Sequence, residues 1–409
     1  MLEVDAPPFH TMPEVNPKIL RWARETAGLT LEEAAKALDI TRPERLEALE
    51  AGAEHPSRPL LLRMAKEYRR SLLTFYLANA PKRGDRGQDF RTLPADRSIE
   101  HDADLDALVR DLKGRQSVVR SILEEEDEGT PLRFVGSQRM SETVVSVVRD
   151  IQKVLGIDLA AYRAKKNYDD AFAYMRERAE AAGIFVLLIG NLGTHHTTIP
   201  VEMFRGFAIA DRVAPFVVVN DQDARPAWTF TLLHEVAHLF LGASGISGAR
   251  VEKEIERFCN DVAGEFLLPV QELDALDVDD GTRQAVAIER ITEFAKKRFL
   301  SRTMVTYKLL RGRKIGRETW RKLDSVFNQL WLAEREKHKG REKRAENGPS
   351  FYVVRRHRVG KALLKLVGRM MDTGNLTPVK AARVLGVKPR SVYPLLADVS
   401  HVPEVRGSA

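Results

Sequence analysis

The sequence predicts a mainly α chain with a small β-sheet, of the α+β class. Three observations carry this. Apolar residues recur at helical spacing through most of the 409 residues. Only three short runs of β-branched and aromatic residues, all between positions 184 and 219, read as strands. The pentapeptide His234-Glu235-Val236-Ala237-His238 lies inside a strongly apolar helical stretch.

In chain order, residues 1–15 form a Pro-rich tail. From Lys18 to about Tyr76 several short helices follow: Ile19, Leu20, Trp22 and Ala23 mark the first, and Thr30 caps a second over Leu31–Leu38. After a turn at Asp39-Ile40, Thr41 caps a third that begins Arg42-Pro43 and stops at Gly52, with Pro and Gly as start and stop signals. Residues 16–80 are thus one small helical domain. The polar, charged stretch to 135, with Leu105, Leu108, Val109 and Leu112 at helical spacing, is a linker with a bridging helix. Helices resume at Val144–Leu155 and Tyr168–Ala182. Strands are expected at Ile184–Ile189, Gly206–Ala210 and Phe216–Val219, then two long helices at Ala227–Leu241 and about Val251–Leu268, the second stopped by Pro269. Arg283–Phe299 and Thr303–Leu310 are helical and close a domain spanning 136–310. Residues 311–349 are a charged helical linker, with a charge run at Lys337–Arg344, and 350–409 a C-terminal helical domain.

Composition bounds what such a chain can be. With 65 Lys+Arg against 58 Asp+Glu the net charge is +7 and the pI about 9.3, mildly basic. Hydrophobic residues at 44% and charged residues at 30% exclude global disorder and collagen-like repeats. One cysteine, Cys259, cannot form an internal disulfide and reads as a small buried apolar residue, which fits a reducing cytoplasm. The acidic, Pro-rich start is no secretory signal. The apolar runs at 184–189 and 230–241 are far shorter than the roughly 20 residues that span a bilayer, so no membrane segment is expected.

The pentapeptide carries the chemistry. Residues four apart lie on one helix face, so the imidazoles of His234 and His238 can reach one Zn²⁺ while Glu235 polarises its water. Two His and a Glu in so apolar a helix are costly without partners. A catalytic zinc wants a third protein ligand and an open position. It is not the later histidine of metzincins, because the Gly and His positions three and six residues after His238 are Leu241 and Ser244. A carboxylate on the next helix remains: Glu256 and Glu265 flank the stripe of Ile255, Phe258, Cys259, Val262, Ala263 and Phe266, and Glu252 shares the Glu256 side. Register leaves all three open. The donor set accepts Mn²⁺ as well as Zn²⁺. His195 and His196, adjacent in a polar loop, do not converge on one ion.

Several ordered motifs resemble the ImmA/IrrE metallopeptidases: Gly206-Phe-Ala-Ile-Ala-Asp211, Pro215-Phe-Val-Val-Val-Asn220, Trp228 through Leu239 with the His-Glu-x-x-His, and Ile255-Glu-Arg-Phe-Cys-Asn260 running on through Gly264-Glu-Phe-Leu-Leu-Pro269. The likeness covers about residues 160–310. It implies metal-assisted peptide hydrolysis, with His234, His238 and Glu256 as zinc ligands and Glu235 as general base. The strand that begins Gly206, Phe207 and Ala208 is a candidate edge for pairing with an extended substrate.

Residues 18–70 resemble the Xre/Cro helix–turn–helix, with Ala27 through Thr41 leading into a recognition helix at Arg42–Ala51. The resemblance implies DNA binding through residues 16–80, with Arg42 and Arg45 as base or phosphate contacts. Residues 16–70 hold eleven Lys+Arg against nine Asp+Glu, and Glu44, Glu47 and Glu50 sit on the recognition helix itself. Since phosphate contacts supply much of DNA affinity, so small a surplus predicts weak or dimer-dependent binding, and a homodimer would meet that need. Lys380, Arg383, Lys388 and Arg390 make the C-terminal domain more basic, in a helix–Gly–helix pattern similar to a helix–turn–helix.

The expected architecture is therefore an all-α helix–turn–helix domain, a compact zincin-like domain and a helical C-terminal unit. The expected function is a cytoplasmic zinc endopeptidase that regulates transcription or a stress or toxin response by cleaving one partner, a repressor or antitoxin-type protein. The alternative is a DNA-binding regulator or antitoxin whose peptidase-like domain senses a ligand or partner without turnover.

Overall fold

The computed structural model describes residues 14–81, 99–193, 197–242, 249–342 and 350–397. The tail up to residue 13, most of the polar stretch before residue 99, and His195-His196 lie outside these. The chain divides into two compact units, the division falling inside one long helix between Arg110 and Asp111.

The first unit holds α1 (Pro17–Thr26), α2 (Leu31–Ala37), α3 (Pro43–Ala51) and α4 (Arg58–Glu67), followed by a 3₁₀ turn at Leu72–Tyr76. Its core gathers Leu20, Ala23, Ala34, Leu38, Leu46, Leu49, Met64 and Phe75. The start of α2 is a capping box: the Glu33 N–H donates to Thr30 Oγ1 at 3.2 Å and the Thr30 N–H to Glu33 Oε2 at 2.8 Å. Thr41 does not cap α3. Pro43 opens the helix and drives its predecessor into extended backbone, so Arg42 (φ −122°, ψ 116°) is the N-cap and makes no side-chain cap bond. Gly52, at φ +79°, ends α3 in the left-handed conformation that favours glycine.

Glu50 corrects the reading of the recognition helix. It is buried, and both of its oxygens accept from the Arg24 guanidinium of α1, at 2.7 and 2.9 Å, so it binds α3 to α1 instead of facing outward.

Helix α5 (Ile99–Glu125) leads into the second unit. There α6 (Val144–Leu155), α7 (Leu159–Arg163) and α8 (Tyr168–Ala181) precede β1 (Phe185–Leu188), β2 (Gly206–Ile209) and β3 (Phe216–Val219). The sheet order is β1-β3-β2, with β3 parallel to β1 and antiparallel to β2. Next come α9 (Arg225–Leu241), α10 (Ala249–Leu267), α11 (Gln284–Lys297), α12 (Arg302–Arg311) and α13 (Arg317–Glu342). The chain continues through α14 (Phe351–Val359), α15 (Lys361–Asp372), α16 (Pro378–Leu385) and α17 (Val392–Leu396). Among the described residues the chain is thus mainly α with one three-stranded sheet, as the periodicities predict.

Helix α9 lies at the centre. From Leu232 to Phe240 every residue is buried, between the sheet on one side and α10, α6 and α8 on the others. A helix apolar nearly all round must be enclosed in this way. Ile315, just before α13, and Leu323 and Phe327 on the first half of that helix join the same core.

The two edges of the sheet differ. Helix α14 packs against β1, and the buried Arg176 guanidinium donates to the Val186 carbonyl of that strand. No strand pairs with the outer side of β2 among the described residues. The C-terminal helices are held by polar contacts: Arg355 donates to the Leu385 and Gly386 carbonyls that end α16, both at 2.7 Å, and Arg358 pairs with Asp221 at 2.6 Å. Among the described residues no helix is long and apolar enough to cross a membrane.

Candidate metal centre

Helix α9 is set in place at both ends. Pro226 stands in its first turn, and Gly242 closes it at φ +58°. The Gly136 and Gln138 N–H groups donate to the Leu239 and Phe240 carbonyls at 3.0 and 2.9 Å, satisfying the last turn. Only glycine fits at Gly242, because a Cβ there would meet Gly136 Cα at 2.6 Å.

Within this helix His234, Glu235 and His238 are all buried, at 0, 0 and 1% exposure. Their spacing puts both imidazoles on the face turned to α10, and the Nε2 atoms lie 3.0 Å apart. Phe230, one turn earlier, stacks near the His234 ring, centroids 6.4 Å apart.

From α10, whose stripe of Ile255, Cys259, Val262, Ala263 and Phe266 is buried in the core, Glu256 extends to the same point. Its Oε2 lies 3.3 Å from His234 Nε2 and its Oε1 3.3 Å from His238 Nε2. These three residues are the one group of three or more His, Cys, Asp and Glu that could hold a metal among the described residues. Burial by itself would raise the Glu256 carboxyl; the two imidazoles outweigh it and hold the group well below the usual carboxylate range. Ligands about 2.0–2.1 Å from a tetrahedral zinc stand about 3.3 Å apart. The two imidazole nitrogens lie 3.0 Å apart and each has a Glu256 oxygen at 3.3 Å, so one ligand atom from each residue lies within 4.8 Å of the others, close enough to share one ion.

Glu265 faces elsewhere, bound to Lys308 Nζ at 2.5 Å and accepting the Val270 N–H at 3.1 Å. The side chain of Glu252 lies outside the described residues. Tertiary packing thus brings Glu256, and not Glu265, to the histidines.

Strand β2 runs beside Glu235. A Cβ on Gly206 would come within 2.9 Å of Glu235 Oε1 and 2.5 Å of Thr231 Cγ2, so the bare backbone there is what lets strand and carboxylate approach. The Asn220 N–H donates to the Arg205 carbonyl at 2.8 Å, which with the register makes Arg205–Asn220 and Phe207–Val218 the hydrogen-bonded pairs. The backbone polar groups of Gly206 and Ala208 therefore point to the open edge. The Phe207 ring is buried, 5.8 Å from that of Phe204.

On the helix–turn–helix, Arg42 and Arg45 are both exposed at the start of α3, and Arg45 Nε lies 3.4 Å from Glu54. With Glu50 internal, Glu44 and Glu47 are the carboxylates α3 exposes. The Arg24–Glu50 pair went unforeseen because its partners stand far apart in sequence and each resembles an ordinary helix-surface charge.

Fold and site together define a helix–turn–helix protein that carries a metallopeptidase-type domain. Residues 179–309 match the family model of the IrrE N-terminal-like domain, Peptidase_M78, and residues 20–75 match that of the Helix-turn-helix, HTH_3. No curated protein and no solved structure matches the chain. The pairing of a DNA-binding module with a peptidase-family domain supports a regulatory, protease-like role.

Proposed function

We propose that the chain is a zinc-dependent endopeptidase that regulates transcription, or a stress or toxin response, by site-specific cleavage of a partner regulator, a repressor or antitoxin-type protein in the cytoplasm. Residues 16–80 form its DNA-binding domain, 136–310 its peptidase domain and 350–409 a C-terminal helical domain. The observation that carries this reading is the convergence of His234, His238 and Glu256 beside the buried Glu235 and an open sheet edge.

His234, His238 and Glu256 would hold the metal. When bound, Zn²⁺ supplies Lewis acidity: it lowers the pKa of water and polarises a carbonyl. Glu235 takes the proton of the attacking water and returns it to the leaving amine. An extended substrate would pair with the outward amide and carbonyl groups of Gly206 and Ala208, laying its scissile bond beside Glu235. Phe207 anchors that strand from beneath. Arg42 and Arg45 would contact DNA.

Metal content measured on the wild type, His238→Ala and Glu256→Ala, with circular dichroism to confirm folding, tests the site. About one zinc per chain, lost in both variants, is expected. A folded wild type that takes up no zinc when it is supplied would overturn the peptidase reading and favour a domain that senses without turnover.

A further inference from the structure

The C-terminal helices repeat the local architecture of the first unit. Thr30, Ala34, Ala35, Leu38 and Ile40, which build α2 and the turn after it, recur at the same spacing as Thr377, Ala381, Ala382, Leu385 and Val387 in α16 and its turn. The threonine of each set caps its helix, accepting the N–H three residues on, from Glu33 at 3.2 Å and from Lys380 at 3.4 Å. Each helix is followed by one left-handed residue, Asp39 at φ +55° and Gly386 at φ +62°. The next N–H closes both turns: Ile40 donates to the Ala35 carbonyl at 2.8 Å and Val387 to that of Ala382 at 2.9 Å. A second helix then buries two apolar residues three apart. These are Leu46 and Leu49 in α3, and Val392 and Leu395 in α17, which a 3₁₀ turn at Pro389–Ser391 leads into.

We propose that this C-terminal helix–turn–helix is a second binding site for double-stranded DNA. The proposal stands apart from the peptidase reading and from the contacts of α3. Its shape is that of the first module; its charge is more favourable. From Thr373 to Ala397 the chain carries Lys380, Arg383, Lys388 and Arg390 and no carboxylate. All four are exposed, and none has an ion-pair partner among the described residues. Glu126 and Glu128 reach this region only at the end of α15, where Asn375 and Arg369 occupy them. By contrast α3 exposes Glu44 and Glu47, and its Arg45 lies against Glu54. Unpaired cations are the ones that can exchange their counterions for phosphates.

In a helix–turn–helix the second helix enters the major groove by its first residues while the first helix crosses the backbone. Lys388, Arg390 and Tyr393 stand at the groove positions, Lys380 and Arg383 at the backbone positions. Tyr393 is 65% exposed, an aromatic surface outside the core of its own unit. Duplex DNA is favoured over RNA because the major groove of an A-form helix is too deep and narrow for side chains to read.

The test is fluorescence anisotropy of the full chain with a labelled mixed-sequence DNA duplex, in a background of Arg42→Glu and Arg45→Glu that silences α3. Duplex binding should persist in that background. Adding Lys388→Ala and Arg390→Ala should weaken it about tenfold or more and flatten the slope of log affinity against log salt by about two. Tyr393→Ala, which removes no charge, should weaken it with the slope unchanged. Lys296→Ala with Lys297→Ala, an exposed pair on α11 of equal charge, should leave affinity as it was, and circular dichroism checks that each variant folds. Loss of all duplex binding once α3 is silenced, equal weakening by the α11 pair, or unchanged affinity in either C-terminal variant would overturn the assignment. So would a single-stranded RNA bound as tightly as the duplex.

Discussion

His234 and His238 hold their Nε2 atoms 3.0 Å apart, and the two oxygens of Glu256 lie 3.3 Å from one and from the other. Two imidazoles that face each other across so short a gap in a buried helix make a poor apolar core and a good cation cradle. The carboxylate that completes the cradle comes from a different helix, so the site exists only when α9 and α10 are packed.

Glu235 is on the opposite duty from its neighbours, buried beside strand β2 and outside the ligand set. Glu235→Gln should keep metal content and thermal stability close to wild type while cleavage of the partner falls about 10²–10⁴-fold, the usual contribution of a general base. Retained cleavage would remove Glu235 from that role.

Gly206 has no room for a side chain. Gly206→Val should cost about 1–3 kcal/mol through overpacking against Thr231 and Glu235. Peptide hydrolysis should fall further than stability explains, because the added group displaces the Glu235 carboxylate. Thermal unfolding and turnover measured on one sample separate the two effects.

Glu50→Ala should destabilise the helix–turn–helix by about 3 kcal/mol, because it strands the largely buried Arg24 guanidinium without its counter-charge. The double variant Arg24→Met, Glu50→Leu should recover most of that loss. Denaturant unfolding of the full chain measures both, and a double variant no better than the single would mean that the cost is one of packing.

Arg42 and Arg45 are exposed on the first turn of α3 and its cap. Each alanine variant should weaken operator binding by about 1–3 kcal/mol if it removes a base contact, whereas loss of a phosphate contact lowers the salt dependence by about one counterion. Unchanged affinity in both variants would move the DNA interface off α3.

His357, on α14 near Trp228, should make stability fall in mild acid. Desolvation beside Trp228 first, then the Arg176 and Arg225 charges, hold the pKa of this solvent-exposed ring below the ordinary 6.5, and solvent screening keeps the effect on stability modest. As pH drops the unfolded chain takes up the proton before the folded one does, so the contribution is complete above 6.5 and is lost below it. His357→Gln should flatten the midpoint temperature against pH between about 6.5 and 5. An unchanged slope would assign the acid sensitivity to other groups.

Much of this was legible in the chain itself. Apolar periodicity located α6 and β3 to the residue, because pattern and backbone geometry are both local. The His-Glu-x-x-His spacing put both imidazoles on one helix face for the same reason. Thr41 misled, although the signal was present: Pro43 restricts Arg42 before any capping hydroxyl can act. Choosing among Glu252, Glu256 and Glu265 was beyond reach, since it depends on how α10 crosses α9, which no periodicity within α10 records. The inward turn of Glu50 needed Arg24, 26 residues away. What the sequence by itself determined was therefore the helices and strands, their apolar faces and the paired histidines, because backbone periodicity and i,i+4 geometry are short-range. Only the tertiary structure decided which carboxylate meets those histidines, which edge of the sheet stays open and which charges turn inward, because each follows from the packing of elements far apart in the chain.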